Sequence, residues 1–120
     1  MGKKILVVDD EPDVLKVILI RLKKTGYEAF GGVDGREALD LARQIRPELI
    51  ILDVYLPDMN GDAVAKILKE DKELKHIPII LISATAKSIA ARAKECGADG
   101  YLVKPFESEE LIGAVKNILE

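Results

Sequence analysis

The sequence predicts an α/β fold, a doubly wound (βα)5 arrangement around a five-stranded parallel sheet, and three observations carry that prediction. Short apolar runs alternate strictly with segments of helical spacing; helix-start and helix-stop residues sit between them; and several runs end abruptly in carboxylates or other polar groups. The runs occupy residues 4–8, 27–30, 49–52, 78–82 and 99–103, and the helical segments 12–25, 35–45, 62–71, 86–96 and 108–119. Such alternation calls for right-handed crossovers with helices on both faces of the sheet.

The first run, Ile5-Leu6-Val7-Val8, stops at Asp9-Asp10-Glu11, and Pro12 then suits the first position of a helix. At 100° per residue Val14, Leu15, Ile18, Leu19 and Leu22 fill one arc of that helix, whereas Val17 and Ile20 fall outside it. Either neighbouring helices and lysine stems cover those two, or a partner protein docks there. Gly26 closes the helix, and the short second run follows. Asp34 with Glu37 makes a capping-box-like pair at the second helix.

The third run, Leu49-Ile50-Ile51-Leu52, is uniformly apolar, as a strand covered on both faces must be, and Asp53 ends it. Turn residues then lead from Val54 to Gly61 and into the third helix. Asp71-Lys72-Glu73-Leu74-Lys75 reads as a charged surface loop, and His76 as a solvated loop histidine before the fourth run. That run, Ile79-Ile80-Leu81-Ile82, ends in Ser83-Ala84-Thr85, with Thr85 placed to cap the fourth helix. Gly97 closes this helix beside Cys96, a small apolar residue in a setting that gives no reason for a depressed thiol pKa. Tyr101-Leu102-Val103 ends the last run in Lys104-Pro105-Phe106, before the fifth helix.

Residues 1–120 read as one domain, and 48% apolar with 32% charged residues describe an ordinary soluble globule. A net charge of -3, with 18 basic residues scattered among 21 acidic ones, excludes a nucleic-acid surface on this domain. The start at Met1-Gly2-Lys3-Lys4 has no signal-peptide core, and no stretch is long and apolar enough for a membrane span. One cysteine permits no internal disulfide, and the whole fits a cytoplasmic protein.

The strand ends hold the chemistry, because open α/β sheets keep their sites at the carboxyl edge. Three or four of the carboxylates Asp9, Asp10, Glu11 and Asp53 crowd at two neighbouring ends, an arrangement that is unfavourable until a cation neutralises it, and all-oxygen ligands point to Mg²⁺. Ser83 adds a hydroxyl and Lys104 an ammonium. Together these are the parts that receive a phosphoryl group: a carboxylate nucleophile, cations for the phosphoryl oxygens and a hydroxyl donor.

Those residues identify the chain as a member of the CheY-like receiver domains of two-component response regulators, over nearly its whole length. The carriers are Val7 to Glu11, Leu52 to Gly61, Ser83-Ala84 and Gly97 to Phe106. The resemblance implies the flavodoxin/CheY-like strand order 2-1-3-4-5. It implies that Asp53 takes a phosphoryl group from a histidine kinase or a phosphotransfer histidine, in a signalling step that is not an enzyme turning over a substrate in solution. Asp10 and Asp53 would ligate Mg²⁺, for which Mn²⁺ can substitute, with Asp9 acting mainly through a bound water and the Tyr55 backbone carbonyl completing the set.

By the same resemblance Lys104 pairs with Asp53 and then with the phosphoryl group, aimed by a cis Lys104–Pro105 bond, while Ser83 and Tyr101 form the switch. Tyr101 would fill the space that Ser83 vacates and so alter the surface of the fourth helix, fifth strand and fifth helix for a downstream target or output domain. Val17 or Ile20 would contact a partner, and the expected oligomeric state is a monomer that can dimerise when phosphorylated. Two departures bear on kinetics. Serine stands at 83 where threonine is frequent, and Tyr55, two residues beyond Asp53, is bulky beside the path of the attacking water, so it would slow hydrolysis.

Three other classes compete. A haloacid-dehalogenase-type phosphatase resembles a pattern with a second aspartate two residues on, where this chain has Tyr55. A flavodoxin-like flavin carrier needs a glycine- and hydroxyl-rich phosphate loop after the first strand, where Asp9-Asp10-Glu11 would repel phosphate. A pseudo-receiver would bind partners without phosphorylation, yet every expected site residue is present.

Overall fold

A computed structural model of the chain describes residues 2–120. Its strands are β1 (Lys4–Val8), β2 (Glu28–Gly32), β3 (Leu49–Asp53), β4 (Ile79–Ser83) and β5 (Gly100–Val103), alternating with α1 (Pro12–Lys24), α2 (Gly35–Ile45), α3 (Gly61–Glu70), α4 (Ile89–Cys96) and α5 (Ser108–Leu119). All pairings are parallel, in the order β2-β1-β3-β4-β5. The fold is the CheY-like one expected.

Pleating divides the central strands between two cores. Leu6, Val8, Ile50, Leu52, Ile79 and Leu81 meet α2 and α3 through Ala38, Ala42, Val64, Ala65 and Leu68. Ile5, Val7, Leu49, Ile51, Ile80 and Ile82 meet α1 and α5 through Ile18, Leu22, Leu111 and Val115. Every residue of β3 and β4 is buried, which is why their sequences do not alternate. Each such Val, Leu or Ile contributes about 1.5–3 kcal/mol against leaving it in water.

The register carries this rigidity to the functional edge. Val8 pairs with Leu52, Asp53 with Ile82 and Ser83 with Val103. The residues just beyond those pairs, Asp9 and Lys104, therefore emerge level with Asp53 and Ser83. Gly61 fixes the return of the chain beyond β3: its N–H donates to the Val54 carbonyl at 2.6 Å, and a Cβ there would collide with the Asp53 carbonyl.

Caps follow sequence in some places and depart from it in others. Asp34 accepts the Glu37 N–H at 2.8 Å, while the Glu37 carboxylate turns back to accept the Val33 N–H at 2.8 Å. Gly26 and Gly97 adopt the positive φ of helix ends, at 102° and 80°. A full capping box between Glu107 and Glu110 starts α5. The expected start of the fourth helix is corrected: it begins at Ile89, because Ser88 takes φ 67° and interrupts helical continuity. Thr85 does not cap it; its N–H instead donates to Ser83 Oγ at 3.1 Å. The second strand is likewise shifted, running through Gly32, and Tyr27 precedes it.

Candidate functional site

Asp9, Asp10 and Asp53 offer carboxylate oxygens that lie within 4.8 Å of one another. Asp53 is the last residue of β3 and Asp9 follows β1, so the neighbouring strands deliver both side chains to one place. Asp9 is buried completely and Asp53 nearly so, whereas Asp10 faces solvent. Loop amides orient the buried pair: the Glu11 N–H donates to Asp9 Oδ1 at 2.9 Å, and the Tyr55 N–H to Asp53 Oδ1 at 3.0 Å.

Lys104 stands at the centre of this acid group. Its Nζ donates to Asp53 Oδ2 at 2.8 Å and to Glu11 Oε1 at 3.0 Å, and lies 2.7 Å from Asp9 Oδ2. The Lys104–Pro105 peptide that follows β5 is cis. Burial works against the ammonium's charge, but its close contacts with Asp53, Asp9 and Glu11 outweigh it and hold the Lys104 pKa above the usual lysine range. Burial pushes the Asp9 carboxyl above the usual carboxylate range; Lys104 and the Glu11 amide oppose that shift and the charge of Asp53 adds to it.

One ammonium does not balance four carboxylates. Asp9 Oδ2 is buried and, despite the ion contact, accepts no hydrogen bond of normal geometry. A hard divalent cation suits both facts, since it takes oxygen ligands and adds the missing positive charge. Asp9, Asp10 and Asp53 are the carboxylates able to hold it, and the donor set fits Mg²⁺.

The acid group opens on a cleft of about 270 Å³ lined by Asp10, Glu11, Asp53, Tyr55, Ala84 and Lys104, and the other predicted residues, Ser83, Tyr101, Val17 and Ile20, are not part of its lining. Ser83 ends β4 with its side chain buried and its Oγ taken up by the Thr85 amide. Tyr101 is about half exposed on β5, and Val17 and Ile20 stand clear of the core on α1, exposed by 57% and 43%. The neighbouring helices and lysine stems therefore leave them uncovered. Val17 shares a second, largely apolar cleft of about 330 Å³ with Val14, Pro105 and Phe106.

Two contacts lay outside the sequence expectation. Glu11, expected only as one of the crowded carboxylates, binds Lys104 from 93 positions away, and its place directly after Asp10 is the only signal that could have found that contact. Arg92 of α4 places its guanidinium 5.2 Å from the centre of the Tyr55 ring. Nothing in the sequence marks that pair.

Comparison with known proteins follows the same lines. A family model described as the response regulator receiver domain matches residues 5–116. The polar-differentiation response regulator DivK of Brucella anthropi is 38% identical over 120 residues, covering 99% of this chain and 98% of DivK. Chemotaxis response regulator CheY4 of Vibrio cholerae superposes with a TM-score of 0.92 at 33% identity, covering 99% of this chain and 100% of that one. Response regulator TrrA of Thermotoga maritima, solved in complex with Mg²⁺-BeF, gives 0.89 at 36% identity, covering 98% of this chain and 99% of that one.

Proposed function

The chain belongs to the response regulator receiver domains of two-component signalling, and from that membership we propose that Asp53 accepts a phosphoryl group from a phosphohistidine, on either a histidine kinase or a histidine phosphotransfer protein. The observation that carries the assignment is the buried Asp53 carboxylate, held 2.8 Å from Lys104 and open to a cleft at the carboxyl edge of the sheet. One Asp53 oxygen bonds to phosphorus as the phosphorus–nitrogen bond to the histidine breaks, and the imidazole keeps the electron pair of that bond. Lys104 balances charge on the phosphoryl oxygens, and the Ser83 hydroxyl, turned from the Thr85 amide, donates to one of them. The aspartyl phosphate is later cleaved when water bonds to phosphorus, which returns the carboxylate and releases phosphate.

Asp9, Asp10 and Asp53, with the Tyr55 carbonyl, would hold the metal, and TrrA's complex with Mg²⁺-BeF supports a magnesium site here. When bound, Mg²⁺ supplies positive charge to the phosphoryl oxygens, a role that Mn²⁺ can take. The domain acts on itself once per phosphoryl group, and Tyr101 reports the change to a target at the surface of α4, β5 and α5. Val17 and Ile20 belong to the partner-facing surface, and the domain is monomeric until phosphorylated. Among the described residues no helix is long and apolar enough to cross a membrane; a cytoplasmic place completes the proposal.

Intact-mass spectrometry after incubation with Mg²⁺ and acetyl phosphate tests the reaction. A gain of one phosphoryl mass is expected, lost in Asp53→Asn and lost with a chelator. The same gain in Asp53→Asn would rule Asp53 out as acceptor. For the partner surface, Val17→Asp and Ile20→Asp should slow transfer from a phosphohistidine partner while leaving labelling by acetyl phosphate intact; equal transfer rates would remove these residues from it.

A further inference from the structure

Tyr55 lines the cleft that holds Asp53, yet the residue is 49% exposed. The Asp53 carboxylate accepts the Tyr55 N–H and so ties the main chain of Tyr55, while the ring turns about its own torsions. On one side of that ring stands Arg92, its guanidinium carbon 5.2 Å from the centroid, within the range of a cation–π contact. Arg92 comes from the second turn of α4, on a different segment from any of the phosphoryl-handling residues.

The guanidinium is itself weakly tied. Its Nη1 lies 3.7 Å from Asp62 Oδ2 of α3, too far for a hydrogen bond. Both Arg92 Nη1 and Asp62 Oδ1 are buried atoms that lack hydrogen-bond partners. Arg92 is thus suspended between a carboxylate on α3 and an aromatic face at the mouth of the site, held mainly by charge and by the ring. A side chain so placed moves with its helix, and Ser88, just before α4, is in a left-handed conformation and gives the helix no side-chain cap. The tie between ring and helix is therefore adjustable, unlike the direct contacts around Lys104.

Resting on the phosphoacceptor role of Asp53, we propose that Arg92 is a positioning residue for the Tyr55 ring, and that through it α4 sets the lifetime of the aspartyl phosphate. With Arg92 in place the ring stays at the mouth of the cleft and restricts the approach of water to phosphorus. When α4 shifts, or Arg92 is removed, the ring swings outward and water reaches the phosphoryl group more often. The hydrolysis itself is unchanged: water oxygen bonds to phosphorus, the bond to Asp53 breaks, and the released phosphate keeps the protons of the water.

The test is the decay of protein labelled with acetyl phosphate, followed by intact mass after the donor and then Mg²⁺-free buffer are exchanged for fresh Mg²⁺ buffer. Arg92→Ala should speed decay about two- to five-fold, the size that one exposed cation–π contact can supply. Arg92→Lys, which keeps a cation over the ring, should restore much of the wild-type rate. Tyr55→Ala should speed decay at least as much, and the double variant no further than Tyr55→Ala alone. Circular dichroism establishes that each variant keeps its helices, so that the rescue by lysine separates positioning from damage to α4. Equal decay in wild type and Arg92→Ala, or multiplied effects in the double variant, would overturn the inference while leaving Asp53 as acceptor. A wild-type chain that never gains the phosphoryl mass would instead overturn the reaction on which it rests.

Discussion

The two sides of the phosphoacceptor cleft are built differently. On the side of β1 and β3, Asp9 and Asp53 are held by direct contacts of 2.7–2.8 Å with Lys104, which reaches across from the end of β5, and the two carboxylates are almost wholly buried. On the side of β4, β5 and α4, the Ser83 hydroxyl binds only its own loop, Ser88 sits at φ 67°, Arg92 lacks a close partner and Tyr101 is half exposed. The first side keeps charges in place before any reaction begins, as electrostatic stabilisation of a transferred phosphoryl group requires. The second has contacts that can be exchanged at small cost, as a surface that must change on phosphorylation requires. The same cleft is rigid on the side proposed to do the chemistry and loose on the side proposed to report it.

The largest effect should come from breaking the rigid side. Lys104→Met leaves Asp9 and Asp53 buried without their counter-ion, and loss of one partner of a buried ion group costs about 3–5 kcal/mol. Urea unfolding in chelator should show a loss of that size, partly recovered when Mg²⁺ is added. Because the Lys104 pKa is raised in the folded protein, its contribution is fully present below the unfolded value of about 10.4 and is lost only as pH rises through the folded one. The ammonium's own titration should therefore leave the gap between wild type and Lys104→Met unchanged up to about pH 9, whereas towards low pH the gap should narrow, because buried Asp9, no longer opposed by Lys104, takes up a proton more readily in the variant. A variant as stable as wild type without Mg²⁺ would mean that the carboxylates, and not the ammonium, keep this side in order.

The division between the two sides also governs how much was legible in the sequence. Asp9, Asp53, Ser83 and Lys104 could be named because each ends an apolar strand, and parallel register brings strand ends together. The buried faces of β3 and β4 followed from the same runs, whereas the order of the sheet came from the resemblance to the receiver family. What escaped lies where torsions decide. Residues 86–88 have the composition to extend α4, but the positive φ of Ser88 is a property of the loop that composition does not record. β2, at the sheet edge, has no unbroken apolar run, so its limits were blurred. Arg92 is one of several charged residues in α4, and only packing reveals that it faces Tyr55.

The smaller effect should come from the loose side, and it should appear in kinetics more than in stability. In the resting fold Ser83 Oγ accepts a single hydrogen bond, from the Thr85 N–H at 3.1 Å. Ser83→Ala removes that acceptor next to exposed residues where water can replace it, so urea unfolding should register a loss of only about 0.5–1.5 kcal/mol. The same change deletes the one hydroxyl able to bind a phosphoryl oxygen from β4. Labelling at Asp53 should still occur, since the nucleophile and its cations are intact, but the phosphorylated protein should no longer be more resistant to proteolysis in the loop 84–88 than the unmodified one. Retention of that protection in Ser83→Ala would assign the coupling between phosphate and α4 to another group, with the nearby Thr85 the first to examine. Loss of protection with full labelling would place the division between chemistry and readout at the end of β4, one side chain wide.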